Sequence, residues 1–557
     1  MTGSVSNLRA LGKKRIPVPL PSPWFWAIAV LFVLVGLIGH DPWKQDDAIG
    51  FGIAWTMANG TLTDWLIPNV AGQMVPEEGP LAFWWAALSI KLLGGLLHAP
   101  DAARLATALW TAVAIYASYR AARAVFEEAD ARLAVLALLA CLGLTARAHE
   151  IAAEPALIAA SACLLWSLSA APAYVTNLRT GVLAALGMGT ALAMAALARG
   201  LPAGLVLLVA MVLLPTLHGV WRAPRLIATA AGALVVALLA FTTWTRAFAL
   251  LVEVDGPAFG QLYGHWLSNQ FGWPGPGELR HIAKTLAWFT FPLWPIVLWW
   301  LARRPRVFLG ESEPRRIHIP ALAMLIATLL SLGWTRILTE SSLLPLLPAG
   351  AVLAAPAVAR MARGMAAAID WFGRMTFTLA AGLIWLGYLA LYTGWPPRIS
   401  ANFYRLEPGF LPHFMPFAFS VALAATLAWL VAIARSERTV LRAITHWAYG
   451  VTLSWLLLMT LWLPWIDYGK SYRSVAVNLK AWIGATAPDA CIEARNLGLA
   501  ERASFAYFLN LPYGVQCHWI IEQSRQGDAR HAIPGARFVW EGQRPGERNE
   551  RFRLYKR

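Results

Sequence analysis

Apolar blocks of roughly 18–25 residues recur along this sequence, and blocks of that length span a bilayer as helices. Hydrophobic residues make up 58% of the 557 residues and charged residues only 14%, whereas soluble domains carry about 25% charged residues. The chain is too apolar for a soluble enzyme of this size, so an all-α polytopic membrane protein is predicted. The composition also excludes a disordered chain, a secreted disulfide scaffold and a DNA-binding protein as interpretations of the whole chain.

The net charge of +16 does not indicate a nucleic-acid partner. Lys and Arg are concentrated in the short loops between the apolar blocks, where the positive-inside rule expects them on the cytoplasmic face. The basic residues therefore predict the orientation of the helices, and no nucleic acid is predicted to bind.

The basic loops settle the predicted topology. The first apolar run, 24–38, follows a basic segment and lacks a small-x-small cleavage pattern, so it is predicted to be an uncleaved span with a cytoplasmic N-terminus. If block 80–97 does not cross, the other basic loops all face the cytoplasm. We therefore predict that it is a helix in the outer interface, a depth that suits its Trp and Phe residues. About thirteen spans result, and the C-terminus lies outside the cytoplasm. The predicted spans are 24–38, 102–118, 133–146, 152–171, 180–198, 201–217, 226–250, 284–301, 317–334, 343–359, 375–394, 412–434 and 445–466.

The composition changes near residue 468, where charged residues become frequent and apolar runs shrink to strand length. Residues 1–467 are predicted to form the membrane domain and residues 468–557 a small α/β domain. Cys491 and Cys517 lie in this tail, and an oxidising compartment favours a disulfide between them. Two buried free thiols are the alternative. The predicted helices of the tail are 475–483 and 501–509, and its predicted strands are 491–494, 519–522, 536–540 and 552–555.

The first predicted outer loop is rich in acidic residues. Asp46 and Asp47 begin a stretch, 46–59, whose apolar residues are spaced for an interfacial helix. Glu77 and Glu78 follow later in the same loop, which also contains several Trp residues. The clustering of acids among Trp residues favours a functional role, and solvated surface carboxylates are the alternative.

A second acidic group lies at the outer end of a predicted span. Glu154 follows Glu150 by one helical turn on the same face. Ionisable groups at the edge of a span are costly and indicate a function, although an acid that only reaches the interface is the alternative. Basic residues predicted on the same side of the membrane could offset these acids and suit an anionic headgroup. They are Arg147, Arg199 and Arg336.

Motifs for nucleotides and metals are missing from the sequence. It has no Walker sequence, no GxGxxG after a strand and no CxxC, and His149-Glu150 is followed by Ala153 where a zincin needs its second His. No cofactor is predicted with certainty, and a divalent metal is compatible with the acids without being required. Since ATP and nucleotide sugars are not supplied outside the cytoplasm, the substrates of an outward-facing enzyme are predicted to be carried by lipids.

Together these residues resemble the GT-C glycosyltransferases of the protein O-mannosyltransferase superfamily, and within it the bacterial lipid A aminoarabinose transferases. The resemblance extends from about residue 20 to about residue 360. Asp46-Asp47 match the acidic pair that opens the family's first outer loop, and Glu154-Pro155 match its second catalytic acid. The other matching segments are Met57, Asp64-Trp65-Leu66-Ile67-Pro68, Ala71-Gly72, Glu77-Glu78-Gly79-Pro80-Leu81, Phe83-Trp84, Arg199-Gly200-Leu201-Pro202 and 339–345.

Three positions depart from the family pattern. Glu78 stands where the family has a Lys that binds the donor phosphate, Ile49 replaces an Arg, and Ser342 replaces a Tyr. Either other bases such as Arg199 and Arg336 replace these contacts, or the donor, the acceptor or the activity differs.

The resemblance implies a GT-C fold and an inverting glycosyltransferase of the bacterial inner membrane, with its C-terminal domain in the periplasm. The sugar would move from a polyprenyl-phosphate donor to lipid A, another glycolipid or protein. Asp46 is expected to be the base or the acid that orients the acceptor, and Glu154 its partner. Donor or acceptor binding is expected from Asp47, Glu77, Glu78, Trp84, Arg199, His265 and Arg336.

Two other functions are left open. A lipid-linked-sugar transporter or flippase predicts an internal repeat, which the sequence does not show. A non-catalytic envelope assembly protein would explain the lost phosphate contacts. The two interpretations differ from an enzyme in whether Asp46 and Glu154 face one cavity, and whether a lipid-sized groove opens there.

Overall fold

The computed structural model describes residue 19 and residues 22–251, 255–303, 319–483, 491–525, 527–528 and 533–557. The basic residues that precede the first predicted span, and those of residues 304–318, lie outside the described residues. The helices are α1 (Ser22–Leu34), α2 (Asp46–Asn59), α3 (Leu62–Leu66), α4 (Leu81–Leu93), α5 (Ala99–Arg123), α6 (Glu128–Leu139), α7 (Leu142–Arg147), α8 (Glu154–Tyr174), α9 (Leu178–Leu217), α10 (Pro224–Leu251), α11 (Asp255–Gln270), α12 (Pro276–Phe289), α13 (Leu293–Arg303), α14 (Ile319–Trp334), α15 (Leu346–Ala359), α16 (Arg363–Thr393), α17 (Pro397–Leu406), α18 (Pro416–Arg435), α19 (Arg442–Leu457), α20 (Leu463–Lys470), α21 (Arg473–Ile483) and α22 (Leu499–Leu509). The strands are β1 (Asn69–Val70), β2 (Gln73–Met74), β3 (Ile492–Arg495), β4 (Trp519–Arg525), β5 (Arg537–Gly542) and β6 (Glu550–Lys556).

The chain is a multi-pass membrane protein, as its apolar blocks predict. Among the described residues, seven helices are long and apolar enough to cross a membrane, and an eighth span results if one bent pair is counted. The 40-residue helix α9 contains two of the predicted spans, which meet where Arg199 and Gly200 leave helical geometry. Gly200 has a φ of 75°, a conformation that glycine adopts without steric cost. The number of thirteen spans stays a prediction.

One predicted span, 284–301, is broken. Helices α12 and α13 are bent by 92° relative to each other. Pro292 lies between them and cannot donate a backbone hydrogen bond to continue the first helix. Helix α12 is amphipathic, with Ile282 and Phe289 buried and charged residues on its other faces. The apolar run in the sequence therefore combines the end of an amphipathic helix with the short apolar helix α13.

The segment between α1 and α5 folds into short elements. Helix α2 has the bounds that the sequence predicts, and β1 and β2 form a small antiparallel hairpin after it. Block 80–97 contains the 13-residue helix α4, whose buried face includes Phe83, Ala87 and Ile90. Its location in the outer interface stays a prediction.

The C-terminal part of the chain contains the predicted small α/β fold. Its four strands have the order β3-β4-β6-β5, with β3 parallel to β4 and the other pairs antiparallel. Helices α21 and α22 cover the sheet through a core that includes Phe505, Phe552 and Leu554. Cys491 and Cys517 form a disulfide with their Cα atoms 5.4 Å apart.

Candidate functional site

A cavity of about 390 Å³ opens where the segment between α1 and α5 meets the beginning of α8 and the break in α9. Asp46 lines it from the N-terminus of α2, and Glu154 lines it from the N-terminus of α8. These are the two acids that the sequence predicts to be catalytic. The remaining lining residues are Ile49, Gly50, Val75, Glu77, Glu78, Phe83, Arg147, Ala152, Arg199, His281, Leu338, Thr339, Glu340 and Ser341.

The start of helix α2 explains the different positions of Asp46 and Asp47. Asp47 is buried and accepts hydrogen bonds from the backbone N–H of Trp43 at 3.0 Å and of Ile151 at 2.8 Å. The fully buried guanidinium of Arg104 also donates to Asp47, at 2.9 Å. Although burial opposes it, Arg104 holds the pKa of Asp47 below its usual value. Asp47 therefore fixes the end of α2, while Asp46 is left facing the cavity.

Arg147, which lines the cavity, binds three carboxylates. Its Nη1 donates to Asp46 Oδ2 at 2.7 Å and to Glu150 Oε2 at 3.1 Å. Its Nη2 donates to Glu340 Oε2 at 2.6 Å. One cation thus offsets the repulsion among acids that come from three different parts of the chain.

Arg199, which also lines the cavity, gathers a second group. Its guanidinium binds the carboxylate of Glu78 and lies 3.7 Å from Glu154 Oε1. Ser341 links the two sides of this group, because its hydroxyl accepts from Arg199 Nη2 at 3.2 Å and donates to Glu154 Oε1 at 2.8 Å. The break in α9 lies at Arg199 itself and places its side chain at the cavity.

Glycine at position 79 lets the loop that carries Glu78 lie against the end of α9. A Cβ at Gly79 would be 2.0 Å from the carbonyl oxygen of Leu197. The Gly79 backbone instead donates to the Ala198 carbonyl at 3.0 Å. This close approach brings Glu78 to Arg199.

Burial changes the charge of Glu78. It raises the pKa of this carboxyl to about 8, although the neighbouring Arg199 opposes the shift. Near neutral pH Glu78 is therefore mainly a neutral acid that accepts a hydrogen bond from Arg199. Glu154, 3.7 Å from the same guanidinium, is then the carboxylate that faces the charge of Arg199.

The structure brings five of the nine predicted catalytic or binding residues to this cavity: Asp46, Glu77, Glu78, Glu154 and Arg199. The other four do not line it.

Each of those four has another environment. Asp47 is buried in the ion pair with Arg104. Trp84 donates its indole N–H to the Trp65 carbonyl at 2.5 Å. His265 is exposed on α11 and pairs with Asn269. Arg336 is exposed where a short bridge joins the end of α11 to the segment after α14.

Sequence reasoning did not single out Glu340, Ser341 or His281 as site residues. Glu340 and Ser341 lie in the segment 339–345, which resembles a family motif, but the residue types that carry that motif are different here. Their roles follow only from contacts with Arg147, Arg199 and Glu154.

A metal site is not evident in the described part of the chain. There, no group of three or more His, Cys, Asp or Glu side chains is arranged to hold an ion. Four of the acids that line the cavity are paired with guanidinium groups: Asp46, Glu78, Glu154 and Glu340.

Known proteins resemble this chain in sequence and in fold, although no family model matches it. The undecaprenyl phosphate-alpha-4-amino-4-deoxy-L-arabinose arabinosyl transferase of Pseudomonas aeruginosa (strain UCBPP-PA14) is 26% identical over 441 residues, which are 77% of this chain and 73% of the relative. Two crystal structures of ArnT from Cupriavidus metallidurans superpose with TM-scores of 0.63 at 20% identity. The superposition with the form bound to undecaprenyl phosphate includes 95% of this chain and 97% of that structure. For the apo form the shares are 96% and 97%. The resemblance predicted from the sequence is confirmed: the chain has the GT-C fold and is similar to the aminoarabinose transferases.

Proposed function

We propose that this chain is a glycosyltransferase of the bacterial inner membrane that moves a sugar from polyprenyl phosphate to an acceptor on the periplasmic side. The observation that carries the proposal is the meeting of Asp46 and Glu154, which are distant in sequence, in one cavity with Arg147 and Arg199. The sequence relative acts on an undecaprenyl-phosphate-linked aminoarabinose, as its name states. An undecaprenyl-phosphate-linked sugar is therefore the first donor to test.

The reaction uses a carboxylate as a base toward the acceptor and a cation toward the leaving phosphate. The acceptor hydroxyl attacks the anomeric carbon from the face opposite the phosphate, which inverts the configuration. As the new carbon–oxygen bond forms, Asp46 takes the proton of the hydroxyl. The bond between the anomeric carbon and the phosphate oxygen breaks, and the polyprenyl phosphate leaves with the electron pair.

Arg199 is the cation that we assign to the leaving phosphate. It lies beside Glu78, Glu154 and Ser341, and the neutral form of Glu78 leaves its charge uncompensated by that side chain. A preorganised guanidinium stabilises the charge that develops on a departing phosphate. Glu154 and Ser341 orient the guanidinium, and Arg147 holds Asp46.

The topology and the domain division belong to the same proposal. Residues 1–467 form the membrane domain, with outer-interface helices near 46–59 and 80–97, and residues 468–557 form a periplasmic domain. The N-terminus lies in the cytoplasm. This arrangement gives the cavity access to lipid-linked donors and to acceptors such as lipid A, another glycolipid or protein.

Purified protein in proteoliposomes tests the function. Radiolabelled undecaprenyl phosphate-4-amino-4-deoxy-L-arabinose is supplied with lipid A, and the label is followed by chromatography. Transfer by the wild type and its loss in Asp46→Asn are expected. If no label moves to lipid A, mass spectrometry of envelope glycolipids and glycoproteins from a deletion strain identifies the product that is missing. An unchanged envelope in that strain would contradict the proposal and favour a non-catalytic role.

A further inference from the structure

Helix α2, which carries Asp46, lies between the membrane domain and the C-terminal unit, defined here as the described residues from 473 to 557. On the membrane-domain side, Asp47 binds Arg104 of α5 and the backbone of Ile151. On the other side, α2 packs against α22 of the C-terminal unit. The site described above uses only the first of these two supports.

Polar contacts fix the chain on both sides of α2 to the C-terminal unit. Before the helix, Arg473 Nε donates to Asp41 Oδ2 at 2.7 Å, and Lys44 Nζ lies 2.9 Å from Glu550 Oε2. After the helix, Arg502 Nη2 donates to the Ala71 carbonyl oxygen at 2.7 Å. Since the two ends of the loop are held, α2 has little freedom to move along its axis.

The face of α2 that meets α22 is closely packed. Both Gly52 and Ala503 are buried, and a Cβ placed on Gly52 would be 2.4 Å from the Cβ of Ala503. Tyr507 of α22 stacks edge-on against Phe51 and Trp55, with ring centroids 4.9 Å and 5.0 Å apart. The absence of a side chain at position 52 therefore sets how closely the two helices approach.

We propose that the C-terminal unit positions Asp46 through this contact, with Gly52 and Ala503 as positioning residues. The inference rests on the proposed function, because it assigns Asp46 a catalytic role. Gly52 is six residues from Asp46 along one helix, or about 9 Å at 1.5 Å per residue. A displacement at Gly52 is transmitted to Asp46 because the helix between them is rigid.

The rate of transfer should depend strongly on the position of Asp46. Asp46 contacts Arg147 at 2.7 Å and must meet the hydroxyl of an acceptor at hydrogen-bond distance. A misplacement of about 1 Å at a reacting group can reduce a rate about 100-fold. The C-terminal unit therefore affects the rate of transfer without touching the substrate.

A pair of size changes tests the proposal in the full-length protein. Gly52→Ala introduces a Cβ that clashes with the Cβ of Ala503. Ala503→Gly removes the Cβ of Ala503 and so relieves this clash. In the double variant the atoms nearest to the new Cβ are Ala503 Cα and Val70 Cγ1, both at 3.2 Å, which small shifts relieve. We expect Gly52→Ala to lower kcat by about 10–100-fold with little change in the KM for the lipid-linked donor. The double variant is expected to recover most of the rate.

Hydrogen exchange of the α2 amides provides a readout that does not depend on transfer. Exchange at residues 46–58 should become faster in Gly52→Ala and return toward wild type in the double variant. Gly542→Ala is the matched control, because its new Cβ meets the Trp540 ring within the C-terminal sheet and not α2. It should leave exchange in α2 unchanged.

Tyr507→Leu is a gentler variant if Gly52→Ala does not accumulate, with Tyr507→Phe as the control that keeps the ring. The Leu variant should speed exchange in α2 and the Phe variant should not. Wild-type exchange and rate in Gly52→Ala, or failure of Ala503→Gly to restore them, would overturn the proposal. So would equal changes in Gly542→Ala. Missing transfer together with an unchanged envelope in the deletion strain overturns the proposed function, whereas the exchange pattern separately decides whether α22 holds α2.

Discussion

Arg147 Nη1 lies 2.7 Å from Oδ2 of Asp46, so the acid that we assign to proton transfer is held by a guanidinium. The same guanidinium binds Glu150 and Glu340. Three carboxylates therefore depend on one cation. Its role in placing Asp46 can be separated from its charge by substitution.

Arg147→Gln removes that cation and leaves three carboxylates close together. Transfer should fall by about 100-fold or more, because Asp46 loses its fixed position. Arg147→Lys keeps the charge but cannot form the forked contacts, so it should recover only part of the rate. Initial rates with a fixed donor concentration measure both effects. Equal rates in the Lys variant and the wild type would show that the fork geometry is unimportant.

Glu78 predicts a pH dependence of phosphate binding. Its pKa is raised to about 8, so the carboxyl ionises and neutralises Arg199 as the pH rises through that value. Binding of undecaprenyl phosphate, measured by fluorescence quenching, should weaken above about pH 8. In Glu78→Gln this weakening of undecaprenyl phosphate binding above about pH 8 should disappear, because the amide stays neutral. Parallel curves for wild type and variant would contradict the assignment.

The raised pKa of Glu78 also predicts that the stability of the folded protein depends on pH. The unfolded chain releases the Glu78 proton near the ordinary pKa of 4.5, whereas the folded protein keeps it until about 8. The wild type should therefore lose stability relative to Glu78→Gln as the pH rises between these values, and show no further difference above them. Thermal unfolding in detergent at several pH values measures this. A difference that grows toward acid pH would have the wrong sign.

The disulfide of the C-terminal unit closes a loop with a sequence separation of 26. In the chain-entropy account a loop of this length stabilises by about 3–4 kcal/mol. Replacing Cys491 and Cys517 with Ser should lower the stability of the unit by about that amount, measured by denaturant-dependent hydrogen exchange. Cys163→Ala, which changes a free thiol in α8, should leave the unit unaffected. Alkylation of both cysteines in unreduced, denatured protein would contradict the disulfide.

The proposed topology is tested with a reporter that is active only in the cytoplasm. Fused after Arg557, it should be silent, because the C-terminal unit is proposed to lie in the periplasm. Fused after Arg438, in the basic loop between α18 and α19, it should be active. Strong signal from the C-terminal fusion would contradict the orientation.

Sequence patterns predicted the helices and the C-terminal sheet well where one local signal dominates. The apolar blocks predict the long helices, and short apolar runs predict strands such as 519–522, which the structure extends to Trp519–Arg525. The bend between α12 and α13 was not predicted, since the run that contains it is apolar on both sides of Pro292. The amphipathic character of α12, the helix before the bend, is hidden in the sequence because this helix ends in Trp288 and Phe289.

The sequence predicts only part of the site, because local patterns do not show which residues meet across the fold. The clustering of loop acids and the acid at the edge of a span single out Asp46 and Glu154, and the family resemblance gives them a catalytic role. The structure places both in one cavity. Adjacent residues of a helix point about 100° apart, so the sequence did not reveal that Asp47 faces Arg104 instead. Glu340 and Ser341 could not be found, because only their contacts across the fold distinguish them from other polar residues of a loop.

The transfer rate of Asp46→Asn tests the central claim most directly. The substitution keeps the size of the side chain and removes its charge, and Asp130→Asn provides the same change at α6, away from the cavity. With both variants present at wild-type levels in proteoliposomes, Asp46→Asn should transfer labelled sugar about 100-fold or more slowly than wild type. Asp130→Asn should match the wild type. Full activity in Asp46→Asn would contradict the assignment of Asp46 as the base and leave the fold unchanged.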